Sequence, residues 1–186
     1  MLRIMAGSVI ALCLAVSGAV AAEPTAAPTE YQVKAAMLFN IAKFVEWPEG
    51  TFGSPTAPII IGILGENPFE SALDAARDRT VGGRKIQLRH FTSVEDVTGC
   101  HILFISRSEK RNLSTILRAL RETTVLLVGD MEEYAQQGGM INFVLQNETV
   151  TLEINVDALN RVGIKINSRL LNIARIVRSG RRAGDH

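Results

Sequence analysis

The chain has 186 residues, with 20 Lys and Arg against 19 Asp and Glu, for a formal net charge of +1. So even a balance excludes the basic footprint that nucleic-acid binding requires. Hydrophobic residues make up 47 % of the chain, enough for one compact domain with a sizeable core.

Residues 1–22 read as a cleaved export signal. Arg3 supplies a short positive region, an apolar stretch runs from Ile4 to Val16, and Ala19-Val20-Ala21 or Val20-Ala21-Ala22 offers small residues for cleavage. The stretch is too short for a comfortable membrane span. Cys13 lies inside it behind Leu12, which argues against a lipid anchor. Loss of the leader removes Arg3 and leaves 19 basic against 19 acidic residues. It also leaves Cys100 as a single cysteine, so no internal disulfide forms. Cys100 is then either a small buried hydrophobe or a thiol for redox sensing and intermolecular pairing.

Residues 23–30 form a Pro/Ala/Thr spacer, residues 31–178 one α/β domain, and residues 179–186 a basic tail. Tyr31 to Pro48, YQVKAAMLFNIAKFVEWP, is the first stretch that can bury a face. At 3.6 residues per turn, Val33, Met37, Leu38, Ile41, Phe44 and Val45 share one side of a helix stopped by Pro48. Phe39 and Trp47, the only tryptophan, project toward the polar side, either as a satellite core under a loop or as a contact surface.

Ile59–Leu64 is a continuous apolar run, as in a strand buried on both faces. A helix is expected from Asn67, a hairpin turn at Thr80–Arg84, and an alternating strand from Lys85 to Phe91. His101–Ile105 and Thr124–Val128 are two more buried strands. Helices are expected over Glu109–Arg121 and Met131–Gln137. Met140–Leu145 and Val150–Ile154 alternate around Gln146-Asn147-Glu148, which predicts an antiparallel pair. Val156–Val162 is a short helix closed by Gly163, and Arg169–Arg178 a last helix capped by Asn167 or Ser168. The expected fold class is α/β: a mainly parallel sheet flanked by helices, with the C-terminal antiparallel hairpin added.

Open sheets of this kind bind ligands at the carboxyl ends of their strands. The residues there that could bind a small ligand are Glu66, Ser106, Arg107 and Asp130. Each turn, however, also carries a capping residue followed three places later by an acid: Asn67 and Glu70, Thr92 and Glu95, Ser106 and Glu109, Asp130 and Glu133. That is the capping-box spacing four times over, and it assigns these side chains to free helix N–H groups. Phosphate-cradling glycine motifs are absent from the sequence. Cys100 and His101 are adjacent on a strand and point to opposite faces, so they do not form a nucleophile–base pair. With only His90 and His186 beside them, they do not make a metal set either. No catalytic residue, metal or cofactor is expected.

The end of the chain is basic through Arg169, Arg175, Arg178, Arg181 and Arg182, which suits a helix C-terminus or peripheral contact with anionic headgroups or an acidic partner.

Several stretches together resemble the YfiR family of small periplasmic proteins: YQVKAAMLFNIAKFVEWP at 31–48, IGILGENPF at 61–69, TVGGRKI at 80–86, CHILFISRSE at 100–109, GGMINFVL at 138–145 and LEINVDALNRVGIKINSRLLNIARIV at 152–177. The resemblance implies an α/β domain, homodimer formation, and regulation rather than catalysis. The implied partner is the periplasmic segment of an inner-membrane diguanylate cyclase, restrained by contact, with effects on cyclic-di-GMP signalling and biofilm formation. The alternative is a periplasmic module that senses a small molecule at the strand ends. Phe39, Trp47, Arg169, Arg175 and Arg178 are the expected partner-contact residues. Relatives that use disulfides carry several cysteines, so a lone Cys100 argues against an intramolecular redox bridge here.

Overall fold

The computed structural model describes residues 28–77 and 79–179; the leader, residues 23–27 of the spacer, and residues 180–186 of the tail lie outside them. In chain order the elements are α1 (Glu30–Ile41), β1 (Val45–Glu46), β2 (Ile59–Leu64), β3 (Thr80–Val81), β4 (Arg84–Phe91), β5 (Ile102–Ile105), α2 (Leu113–Ala119), β6 (Leu126–Gly129), β7 (Ile141–Gln146), β8 (Thr149–Asn155), α3 (Val156–Arg161), β9 (Lys165–Ile166), α4 (Ser168–Leu171) and β10 (Arg175–Val177). An 8-stranded sheet runs in the order β10-β8-β7-β6-β5-β2-β4-β3, and β1 and β9 form a separate antiparallel pair.

The fold is the expected α/β class. Strands β4, β2, β5, β6 and β7 are mutually parallel. Every residue of β2, β5 and β6 is buried, which is why each reads as an unbroken apolar run. The β7–β8 hairpin is antiparallel, and its turn places Asn147 and Glu148 at φ 46° and 62°. Two left-handed residues in succession match the right-handed twist of the flanking strands.

The first helix differs from expectation. It ends at Ile41, not Pro48, because Val45 pairs with Ile166 and the Asn167 N–H donates to the Phe44 carbonyl at 2.9 Å. Sheet pairing outcompetes one more helical turn there. The buried face is also rotated from the one the apolar spacing suggests: Lys34, Ala35, Leu38, Phe39 and Ile41 are buried, while Val33 and Met37 are half-buried. Phe39, 3 % exposed, is a core residue, with the Lys43 ammonium 4.7 Å and the Arg79 guanidinium 4.2 Å from its ring centre.

The last expected helix is replaced as well. Only Ser168–Leu171 is helical, capped by the Asn167 side chain, and Arg175–Val177 is a strand. It pairs in parallel with β8, Arg175 opposite Glu153 and Val177 opposite Asn155. The outer edge of β8 offers unpaired backbone groups, and β-branched Ile176 and Val177 take them up.

Two other segments expected as helices consist mainly of turns. After Asn67 only Asp74–Ala76 forms a single 3-10 turn, and Glu70 sits at φ 48°. Residues 131–137 contain no helix; Glu133 sits at φ 54°. The buried Tyr134 ring lies against Gly129 and Gly139, and a Cβ on Gly129 would fall 2.6 Å from it. Two glycines thus make room for one aromatic ring under the turn.

Trp47, half-buried, resolves as satellite core under the 48–58 loop. It packs edge-on to Phe52 at 5.5 Å and to His101 at 6.3 Å, and Phe52 stacks on His101 at 4.6 Å. His101 Nδ1 accepts the Ile60 N–H at 3.1 Å, which fixes the neutral ring's proton on Nε2. Burial, and then the charge of Arg84, hold its pKa below the ordinary histidine value. Cys100 lies on the opposite side of the strand backbone, 6 % exposed, its thiol 3.0 Å from the Ile102 carbonyl. Burial pushes that thiol up to about 12, so it stays protonated and a poor nucleophile.

Helix α1 is tied to the sheet by charge. Lys34, fully buried, reaches Asp130 Oδ2 at 2.6 Å, at the carboxyl end of β6. Removing one member of a buried pair strands the other charge, at a cost of roughly 3–5 kcal/mol. Lys34→Met is expected to lose about that much stability in urea denaturation. The double variant Lys34→Met/Asp130→Leu is expected to lose less than Lys34→Met alone. A loss below about 1 kcal/mol for the single change would remove the pair from its anchoring role.

His101 gives a pH signature. Its folded pKa is depressed, so the fold favours the neutral ring. The corresponding stability is present above the unfolded value of about 6.5 and is lost as pH falls through it toward the folded value. Thermal melts are expected to show falling stability below that pH, with a flatter profile in His101→Gln.

Candidate functional site

The sheet's parallel strands end on one side at Gly65, Phe91, Ser106 and Asp130. Their side chains do not all cap helices. Asn67 accepts the Phe69 N–H at 3.0 Å, Ser93 rather than Thr92 accepts from Glu95 at 3.4 Å, and Ser106 accepts from Ser108 at 3.5 Å. These are short local turns without the reciprocal acid-to-backbone bond. The complete capping box is elsewhere, at the start of α1, between Thr29 and Gln32.

Asp130 breaks the expected pattern outright. Its carboxylate turns toward α1 and accepts from the Tyr31 hydroxyl at 3.0 Å as well as from Lys34. Arg107 Nε lies 3.2 Å from the same Oδ2 and donates to the Asp130 carbonyl at 3.1 Å. Lys34 also pairs with Glu30, and Arg107 Nη2 sits 3.5 Å from that carboxylate. Two cations therefore face two anions. Burial, followed by the Asp130 charge, pushes the Tyr31 phenol up to about 12, so it remains a donor. With Asp130 held this way, the following segment has no cap to start a helix, and it stays in turns.

Beside this cluster lies a hollow of about 490 Å³, lined among others by Arg107, Asp130, Asn142, Glu153 and Arg175. Sheet register explains the assembly. Asn142 stands opposite Glu153, and Glu153 opposite Arg175, so three polar residues cross three neighbouring strands in one row. Asn142 Nδ2 donates to the Met131 carbonyl at 2.9 Å and to Glu153 at 3.2 Å, and Arg175 pairs with Glu153. Asn142 and Glu153 are 2 % and 4 % exposed. Asp130 Oδ1, Asn142 Oδ1 and Gln136 Oε1 are buried acceptors that find no donor among the described residues. Unsatisfied buried acceptors are costly, and these three oxygens lie behind the hollow's surface. Its lining holds no serine, threonine, cysteine, lysine or histidine. The lining also carries the carboxylates of Asp130, Glu132, Glu133 and Glu153.

Of the strand-end residues named from sequence, Arg107 and Asp130 meet in this cluster. Ser106 is buried next to them and occupied in its own turn. Glu66 is exposed at the neighbouring turn, where its backbone N–H donates to Ser108 Oγ at 3.0 Å, and it does not line the hollow. Arg175 joins the site from β10 instead of a helix. Arg169 and Arg178 are exposed, Arg178 paired with Asp157 at 3.0 Å. Tyr31, Lys34, Asn142 and Glu153 were not named. Lys34 was the available signal, since it shares a helical face with Leu38 and Ile41, but a lysine reads as solvent-facing until its partner is known.

Among the described residues no group of three or more His, Cys, Asp or Glu is placed to hold a metal ion, and no helix is long and apolar enough to cross a membrane.

A solved structure named as the ABC domain in complex with L-Trp from Streptococcus pneumonia overlaps 64 % of this chain at 11 % identity and a TM-score of 0.48. The chain spans 55 % of that structure's length, and so low a score carries no argument. The profile of the YfiR/HmsC-like family, by contrast, matches residues 31–175. That span runs from the first residues of α1, through the Lys34–Asp130 pair and the row of Asn142 and Glu153, to Arg175, and the chain belongs to the YfiR/HmsC-like family.

Proposed function

We propose that this protein is a periplasmic regulatory binding protein that restrains an inner-membrane diguanylate cyclase by direct contact. Family membership over residues 31–175 is the observation that carries the reading. The contact surface we assign is the C-terminal segment. Ile173 and Ile176 are 72 % and 45 % exposed, and exposed Arg169 and Arg178 flank them. Exposed large apolar side chains with arginines near them in the chain suit a protein-contact patch. Phe39, buried in the core, and Trp47, committed to the aromatic cluster, drop out of that surface.

A second reading rests on the strand-end hollow. Its polar lining of Arg107, Asn142, Glu153 and Arg175 favours a small polar ligand, whose binding would report to the regulator. Both readings assign binding and no reaction.

Deleting the gene is expected to raise cellular cyclic-di-GMP, and Ile173→Asp/Ile176→Asp is expected to reproduce the deletion while the purified protein keeps its melting temperature. Unchanged cyclic-di-GMP in the deletion strain would end the cyclase reading. For the second reading, a thermal-shift panel of amines, amino acids and sugars is expected to yield a stabilising compound whose effect disappears in Asn142→Leu. A flat panel would remove it.

A further inference from the structure

A different hollow, of about 480 Å³, lies beyond Gln136, which borders both hollows. Three arginines line it: Arg118 from the last turn of α2, Arg121 just beyond, and Arg161 from the last turn of α3. Ser114 and Ser179 add hydroxyls, and among the described residues the lining contains no carboxylate. Among the described residues Arg118 and Arg161 have no ion-pair partner, and Arg121 pairs only with its exposed neighbour Glu122, at 3.5 Å. A cation at a helix C-terminus is favourable by itself, which accounts for Arg118 and Arg161 taken singly. It does not account for three guanidiniums gathered around one concavity; all three are exposed, so solvent screens their repulsion and leaves them free to meet an anion. Ser114 and Gln137, both exposed, add uncharged polar groups that suit an occupant with a hydroxyl beside its anionic group.

We propose that this hollow binds a phosphate group carried on a hydroxylated body, as in a glycerol phosphate or sugar phosphate, free in solution or as a lipid headgroup. Guanidinium forks match phosphate oxygens in pairs, and the two serines supply further donors. The volume fits a small molecule, and the concavity separates it from a flat protein-contact patch. The site goes beyond the cyclase reading, because its test needs purified protein alone and its failure leaves that reading untouched.

The test is calorimetric titration at fixed ionic strength with inorganic phosphate, glycerol 3-phosphate and polyglutamate, together with co-sedimentation on phosphatidylglycerol and phosphatidylcholine vesicles. Glycerol 3-phosphate or phosphatidylglycerol vesicles are expected to bind saturably. Arg118→Gln and Arg161→Gln are each expected to weaken binding about tenfold. Lys85→Gln, an equal loss of charge at an exposed strand position, is expected to leave it unchanged. The soluble and vesicle arms decide the source, and binding in either supports the site. Three results would overturn it: no saturable binding up to the millimolar range, an equal loss in Lys85→Gln, or polyglutamate binding as tightly as the phosphates. Unchanged melting temperatures in the arginine variants separate lost binding from lost fold.

Discussion

The ion pair between Lys34 and Asp130 is the constraint on which the rest of this structure depends. Neither side chain has solvent contact, so each needs the other. The pair fixes where α1 crosses the sheet and draws Asp130 away from the N-terminus of any helix that residues 131–137 could form. That segment then folds as turns, with Tyr134 wedged beneath it and Glu133 in the left-handed region. The same turns wall the polar hollow. One buried charge thus shapes both the packing of the first helix and the concavity beside the strand ends.

Helix α1 links two chemically different ends of the sheet. Its N-terminal half carries Tyr31 and Lys34 to the polar carboxyl ends of the strands. Its C-terminal end leads to the aromatic cluster of Trp47, Phe52 and His101 at the opposite side. A ligand that rearranged the Asp130 cluster would act on the helix that also borders this second cluster.

Much of the fold was legible because its central strands are buried on both faces and therefore written as continuous apolar runs. The hairpin was legible through its alternation and its turn residues. The last strand was not. Asn167 gives a sound helix start, and arginine suits a helix end, but Arg175–Val177 owes its conformation to the unpaired edge of β8. Local signals cannot report a partner some twenty residues away. The site was half legible. Arg107 and Asp130 were found because strand ends are where ligands bind. Capping, read from spacing alone, then assigned Asp130 the wrong occupation, since its true partner Lys34 lies 96 positions earlier.

The two-stranded pair of β1 and β9 joins residues near 45 to residues near 166, and β10 closes the main sheet from the end of the chain. The domain is therefore laced from both extremities inward. Its architecture is assembled as one cooperative unit whose slowest events are distant pairings, and a half-length piece would be left with open seams in place of a smaller native domain.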